Sequence, residues 1–499
     1  MRGLNGVRLN DHSRMFWVVL FLIASILVVN GITTEVSLGD ESHHYHFAQN
    51  IFTTDRRVAF DPIYESGNPP GFFYSTPPLW HFIIAFLWKI TGGISQTIAQ
   101  IYHVLFFIVL VWLTSLLAKE TIGEEGKWFP ALMIATMPMI VSFSTLFYMD
   151  VPVAALSTLS FYLILKKKYM EAGVAFGLAY FTKLNAVFFL PGFLFLIFWN
   201  ERRKVWNLLR NLAFFTLPVL MIYFPDSYWR KKNIISHLDA SGLSSVTHYV
   251  SGTFTGTRVK EFLNSYLTNP VDLVKYLGIV FLLLMFFHLF RFRGWNRKAA
   301  ILWVPIISYL ILFMIIFGVG SDIRYAIPIF PYLVVFFAQP FLSLGKKWRF
   351  IVVGVCVLQF ISTTYYVHQK RQISSEVRDG FEYIRKNVPQ KALILYPEEN
   401  LLIYTQHRFI WSRVLFFRND KKLSLESVFW PKDLEEMGRN LDANRIDHIL
   451  VKKSRVYDDH EERHFGGYPK SFVEKLPQLD GWMKVFENPG VALWKKVPS

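Results

Sequence analysis

The sequence predicts an α-helical polytopic membrane protein that carries a small α/β domain at its C-terminal end. Three observations predict it. The 499 residues are 53% hydrophobic and only 18% charged, with a mean hydropathy of +0.30; soluble globular chains carry about 25% charge. Apolar runs close to membrane-span length recur between residues 15 and 366, and a bilayer core of about 30 Å needs about 20 helical residues. The formal net charge of +16 comes from 53 Lys+Arg against 37 Asp+Glu. Much of the surplus sits in short links between the runs, as positive loops held on one side of a membrane do. This composition excludes a disordered chain, a disulfide scaffold and a coiled coil. The single cysteine, Cys356, lies in an apolar run, which removes disulfides, thiolate catalysis and cysteine-based zinc sites. The basic residues cluster on no soluble module, so nucleic-acid binding is not expected.

The first run, 15–32, follows a head containing Arg2, Arg8 and Arg14. No small-residue cleavage site follows it, so it reads as a retained span. The further runs are 97–118, 128–147, 151–165, 169–182, 184–199, 208–225, 271–290, 299–318, 325–344 and 350–366, which makes about eleven spans. Residues 77–90 are apolar but too short to cross and are expected to lie at the membrane surface. Charge tests this count. With the first span running outward, the inside loops hold Lys166-Lys167-Lys168, then Arg202-Arg203-Lys204. Arg291, Arg293, Arg297 and Lys298 follow, then Lys346, Lys347 and Arg349. Counting 77–90 as a span would invert all four basic loops. The link 119–127 is the exception, because Glu120, Glu124 and Glu125 balance its two lysines.

Residues 33–93, 226–270 and everything after about 367 then face outside. The expected division is a membrane domain, 1–366, and an extracytoplasmic α/β domain, 367–499. In the tail, 391–396, 448–453 and 491–495 read as strands, and 375–387 and 432–440 as helices. No internal repeat or low-complexity tract is present, which counts against an inverted-repeat transporter.

Polar residues at the outer ends of the spans carry the chemistry. Asp40 and Glu41 are adjacent carboxylates just past the first span. They suit a helix N-terminus, with Asp40 as cap and Glu41 complementing the dipole, and equally a site, since carboxylates are costly at a membrane edge. His43 and His46 share a helical face with one or other of these acids, which leaves metal binding open. Pro77-Pro78 makes a rigid turn after Thr76. Asp150, before Val151-Pro152, returns to the outer side and also suits an N-cap. Lys183 and Arg324 lie at outer span ends and break the positive-inside pattern, which points to an anionic ligand. Cations and carboxylates at headgroup depth suit transfer of a sugar from a lipid-linked phosphate. The cations neutralise the leaving phosphate, and a carboxylate takes the proton of the incoming hydroxyl. No Walker or GxGxxG loop is present for a nucleotide.

These landmarks resemble the integral-membrane C-type glycosyltransferases, in particular the protein O-mannosyltransferase and aminoarabinose transferase group. The resemblance rests on Asp40-Glu41 after the first span, Thr76-Pro77-Pro78-Leu79, Asp150-Val151-Pro152, Thr182-Lys183, and Arg324-Tyr325 followed by Pro328 and Pro331. It covers residues 15 to about 345; the tail is similar only in being a small outer domain. Thr76 stands where some members have His, which weakens a metal or acceptor role there. The resemblance implies an inverting transfer from a polyprenyl-phosphate sugar, undecaprenyl or dolichyl, to a hydroxyl on a protein, glycan or lipid. It implies Asp40 as acceptor-activating base, Glu41 and Asp150 as assisting groups, and Lys183 and Arg324 as phosphate ligands. His43 and His46 would touch a metal or the acceptor, and a divalent metal stays open as cofactor. The segment 226–270, with Tyr249 and Phe254, would cover the acceptor. A bacterial plasma membrane is preferred to an endoplasmic reticulum as the location. The competing readings are a flippase or transporter of lipid-linked saccharides and a non-catalytic subunit of a glycosylation complex. A transporter should carry ionisable groups within its spans, and these spans hold few beyond His103 and His288.

Overall fold

The computed structural model describes residues 11–36, 40–54, 79–124, 126–233, 270–291, 299–317, 323–398, 400–405, 407–411, 428–459 and 467–497. The turn at Thr76-Pro77-Pro78, the basic residues Arg293, Arg297 and Lys298, and most of 226–270, with Tyr249 and Phe254, lie outside them. The chain divides into two compact units, Met1–Thr33 with Tyr74–Lys370, and Thr34–Phe73 with Arg371–Ser499. The segment after the first helix, Thr34–Phe73, groups with the tail in this division.

The first unit is helical. Among the described residues, six helices are long and apolar enough to cross a membrane: Phe16–Thr33, Gln96–Ile122, Leu184–Glu201, Val205–Pro225, Arg324–Ser343 and Lys346–Lys370. The pair Trp128–Thr136 and Pro138–Thr145, bent by 61°, makes a seventh if it is one broken span. Leu79–Thr91, Asp150–Leu165, Ile279–Phe290 and Ala299–Phe313 are apolar but shorter. The eleven runs of the sequence reading correspond to these six, the bent pair, three of the four shorter helices and Tyr169–Thr182. The run 271–290 is divided at Gly278, whose φ of 80° ends one helix before Ile279–Arg291 begins.

The breaks follow local chemistry. The helix Gln96–Ile122 starts where Ser95 Oγ accepts from the Ile98 amide, and ends at Gly123 with φ of 101°. Pro138 has no N–H to continue a helix, so the chain bends at Met137. The carbonyl of Thr136 is taken by Gln359 Nε2 at 2.9 Å. Beyond the bend, the Ser144 carbonyl accepts from Gln100 Nε2 at 3.2 Å, and Phe143 O lies 2.9 Å from His103 Nε2. In lipid each such backbone group left unpaired costs several kcal/mol. Phenylalanines supply much of the core. Phe189 and Tyr332 pack with Tyr309, Phe193 and Phe161. A side chain at Gly173 would meet the Phe215 carbonyl at 2.2 Å, so glycine lets Tyr169–Thr182 close on Val205–Asn233.

The acidic link that breaks the charge pattern has a structural answer. Glu120 pairs with Lys166 at 2.5 Å, and Glu124 pairs with Lys119 at 2.8 Å and with Lys127. Glu120 and Glu124 thus neutralise lysines of their own link and of the next basic loop.

The second unit contains a five-stranded sheet in the order β2-β1-β3-β7-β6. Its strands are β1 Leu393–Tyr396, β2 Arg408–Trp411, β3 His448–Lys452, β6 Trp482–Glu487 and β7 Val491–Lys496. β2, β1 and β3 run parallel, while β7 pairs antiparallel with β3 and β6. Two short strands, β4 Val456–Tyr457 and β5 Tyr468–Pro469, pair separately. Sequence patterning found β1, β3, β7 and the helix Ser375–Asn387, and placed Leu434–Ala443 two to three residues early. It missed β2 and β6 at the sheet edges.

Candidate functional site

Three of the expected site residues, far apart in sequence, meet in the helical unit. Asp150 opens the helix Asp150–Leu165 as its first helical residue; the cap is Met149. Asp150 is therefore not the N-cap, but its carboxylate still lies in the first turn, where the dipole favours negative charge. The side chain is fully buried, and Oδ1 accepts from Lys183 Nζ at 2.5 Å. Its other oxygen, Oδ2, is buried without a hydrogen-bond partner among the described residues.

Lys183 stands at a break. Helix Tyr169–Thr182 ends, a 3-10 turn Leu184–Phe189 begins, and Lys183 between them is extended, with φ of −156° and ψ of 133°. That turn aims its ammonium at Asp150 and over the Tyr325 ring, 4.5 Å from the centroid. An ammonium has three donors, and Asp150 takes one. Arg324 lies on the 3-10 segment Ile323–Ile329, with its guanidinium 5.1 Å from the Tyr148 ring and 5.3 Å from that of Tyr325. Tyr325 is held from behind: its carbonyl accepts from Tyr309 Oη at 2.5 Å, and Asn185 Nδ2 donates to Tyr309 Oη at 2.8 Å. Lys183 and Arg324 thus share one aromatic ring, and Asp150 pairs with Lys183. The arrangement can present two cations to an anionic group, with Asp150 fixing the position of the first.

Glu41 is placed differently. It belongs to the second unit, where Arg371 Nη2 reaches its Oε1 at 2.6 Å and both side chains are fully buried. Around them, Arg378 pairs with Glu35 at 2.8 Å, Glu35 N donates to Arg371 O at 3.3 Å, and Tyr404 Oη donates to Val36 O at 3.3 Å. Burial, then the charges of Glu35 and Glu41, push the Tyr404 hydroxyl up from its ordinary value, which keeps it a neutral donor. Helix Asp40–Thr54 begins at Asp40. The side chains of Asp40, His43 and His46 lie outside those described. Among the described residues no group of three or more His, Cys, Asp or Glu side chains is arranged to hold a metal ion.

Sequence reading missed Tyr325 and Tyr148 as partners of the cations, and Arg371 altogether. Arg371 had a signal: it follows the last span on the expected outer side, the same exception that singled out Lys183 and Arg324.

The dolichyl-phosphate-mannose-protein mannosyltransferase family matches residues 75–229, which include Asp150 and Lys183. Among solved structures, ArnT from Cupriavidus metallidurans bound to undecaprenyl phosphate aligns with a TM-score of 0.66 at 14% identity. The alignment covers 97% of this chain and 98% of that one. The chain has the C-type glycosyltransferase fold. A second protein with this fold, the Archaeoglobus fulgidus oligosaccharyltransferase, aligns with a TM-score of 0.58 at 11% identity, over 97% of this chain and 75% of that one. A structure of the same oligosaccharyltransferase tethered to an acceptor peptide gives 0.55 at 12% identity, over 88% and 69%. Comparison with curated proteins finds no match. The helices long and apolar enough to cross a membrane make the chain an integral membrane protein.

Proposed function

We propose that the chain is an inverting glycosyltransferase that moves a sugar from a polyprenyl phosphate to a hydroxyl acceptor on the outer or lumenal membrane face. The observation that carries this reading is the meeting of Asp150, Lys183 and Arg324 around Tyr325, in a fold aligned along its length with a protein bound to undecaprenyl phosphate.

In the reaction the acceptor oxygen forms a bond to the anomeric carbon as the bond from that carbon to the phosphate oxygen breaks. The electron pair leaves with the polyprenyl phosphate, and configuration inverts. Lys183 and Arg324 hold the phosphate and offset the charge that grows on it. Asp150 positions Lys183. Asp40 is the acceptor base of the resemblance and takes the hydroxyl proton, a role worth about 10²–10⁴-fold. Glu41 supports the segment that carries Asp40 through its pair with Arg371. The donor sugar is a hexose or an aminopentose, and the acceptor a protein, glycan or lipid hydroxyl. The second unit lies outside a bacterial plasma membrane.

Purified protein incubated with polyprenyl-phosphate mannose, glucose and aminoarabinose, with and without chelator, tests the proposal. Transfer from one donor is expected, with Asp40→Asn at least about 100-fold slower. The chelator arm reads metal dependence. Turnover by Asp40→Asn equal to the parent contradicts the base, and no transfer from any donor contradicts the function.

A further inference from the structure

The five-stranded sheet gathers charged groups at the carboxyl ends of two of its parallel strands. β2, β1 and β3 are parallel neighbours. After β1 the chain enters the helix Asn400–Thr405, whose Leu401 packs with Ile394 and Phe381 on one side of the sheet. After β3 it reaches the helix Lys470–Lys475, whose Phe472 packs with Leu395 and Ile449 on the other. Where connections leave adjacent parallel strands toward opposite faces, a crevice opens outside their carboxyl ends, and open α/β sheets bind ligands there.

Charged residues sit at this point. Glu398, two residues past β1, accepts from Lys452 Nζ at 2.7 and 2.9 Å and from Arg455 Nε at 3.0 Å. Lys452 ends β3, and Arg455 follows three residues later. Arg455 Nη1 donates to Tyr457 Oη at 3.2 Å, while 43% of its side chain stays exposed. Among the described residues, two cations, Lys452 and Arg455, face the carboxylate of Glu398. Asn400 is buried, with Nδ2 directed at Glu398 Oε2 at 3.4 Å. Its Oδ1 is buried and has no hydrogen-bond partner among the described residues. A buried amide oxygen is costly to leave unpaired.

We infer that this crevice binds an anionic saccharide, a sugar bearing a phosphate or a carboxylate. The outward N–H groups of Arg455 take the anionic oxygens, a geometry suited to a guanidinium. Asn400 Oδ1 accepts from a sugar hydroxyl. The site lies wholly in the second unit and does not depend on the transfer reaction.

Isothermal titration calorimetry of the full chain in detergent tests this, with glucose 6-phosphate, glucuronate, glucose and inorganic phosphate as probes. One or both anionic sugars should bind at least about tenfold more tightly than glucose and inorganic phosphate. Whichever binds identifies the source of the charge. Arg455→Ala, at an exposed side chain, and Asn400→Asp, which adds a like charge, should each weaken that binding at least about tenfold. Failure of both anionic sugars to bind overturns the inference. So does equal affinity for glucose or inorganic phosphate, or affinity unchanged in Arg455→Ala.

Discussion

Two carboxylate–cation pairs of nearly the same length sit in different surroundings. Asp150–Lys183 spans 2.5 Å and Glu41–Arg371 spans 2.6 Å. In the second pair both side chains are fully buried, and its neighbours Glu35 and Val36 are tied to Arg378 and Tyr404. In the first, Lys183 is 13% exposed and lies over a tyrosine ring that a second cation also touches. A sealed pair can only hold segments together. A half-open pair with a second cation at the same ring can face a third, anionic partner. Burial of the cation thus distinguishes the two pairs where pair distance does not.

The largest expected effect is in the sealed pair. Arg371→Ala removes the ion-pair partner of the buried Glu41, which should cost about 3–5 kcal/mol, read as a lowered thermal unfolding midpoint. Replacing both members, Glu41→Gln with Arg371→Met, should recover most of that loss, because a buried ion pair exchanged for neutral packing is often close to neutral. A midpoint unchanged by Arg371→Ala would erase the distinction between the pairs.

A smaller effect separates the second unit from the helices by pH. Burial pushes His448 of β3 down from 6.5 to about 4. Its folded value lies below its unfolded one, so the unfolded chain takes up the proton first as pH falls. The stability this group contributes is complete above about pH 6.5 and is lost as pH falls toward 4, by up to about 3 kcal/mol. Unfolding midpoints at pH 7 and pH 5 should differ less in His448→Gln than in the parent. An equal drop in both would place the pH sensitivity elsewhere.

The smallest effect sharpens the half-open pair. Tyr325→Leu removes the ring beneath Lys183 and beside Arg324 while keeping the bulk. A cation–π contact at a partly exposed site is worth about 0.5–1 kcal/mol, so transfer should fall by about two- to fivefold. No change in rate would make the shared ring incidental.

The sequence exposes these features unevenly. Asp150, Lys183 and Arg324 were legible because each is a polar residue at the end of an apolar run, a local anomaly that needs no tertiary knowledge. Tyr325 was not, because a ring face is defined only by what packs against it. Glu41 was visible but its partner was not: 330 residues separate it from Arg371, and no periodicity reports a pairing over that distance. The same non-local packing puts 34–73 with the tail. In the sheet, β1 and β3 are short apolar runs, buried on both faces, that announce themselves. β6 is largely exposed along its length and gives no such signal.

On the proposed function, the Asp150–Lys183 pair serves the donor phosphate while the Glu41–Arg371 pair serves the fold. Sugar transfer from the polyprenyl-phosphate donor, measured side by side in two double variants, tests it most directly. Asp150→Asn with Lys183→Met should lose about 10²–10³-fold in rate at a near-parental unfolding midpoint. Glu41→Gln with Arg371→Met should keep its rate within about tenfold. Equal rates in the two variants, or full transfer without Lys183, would contradict the account.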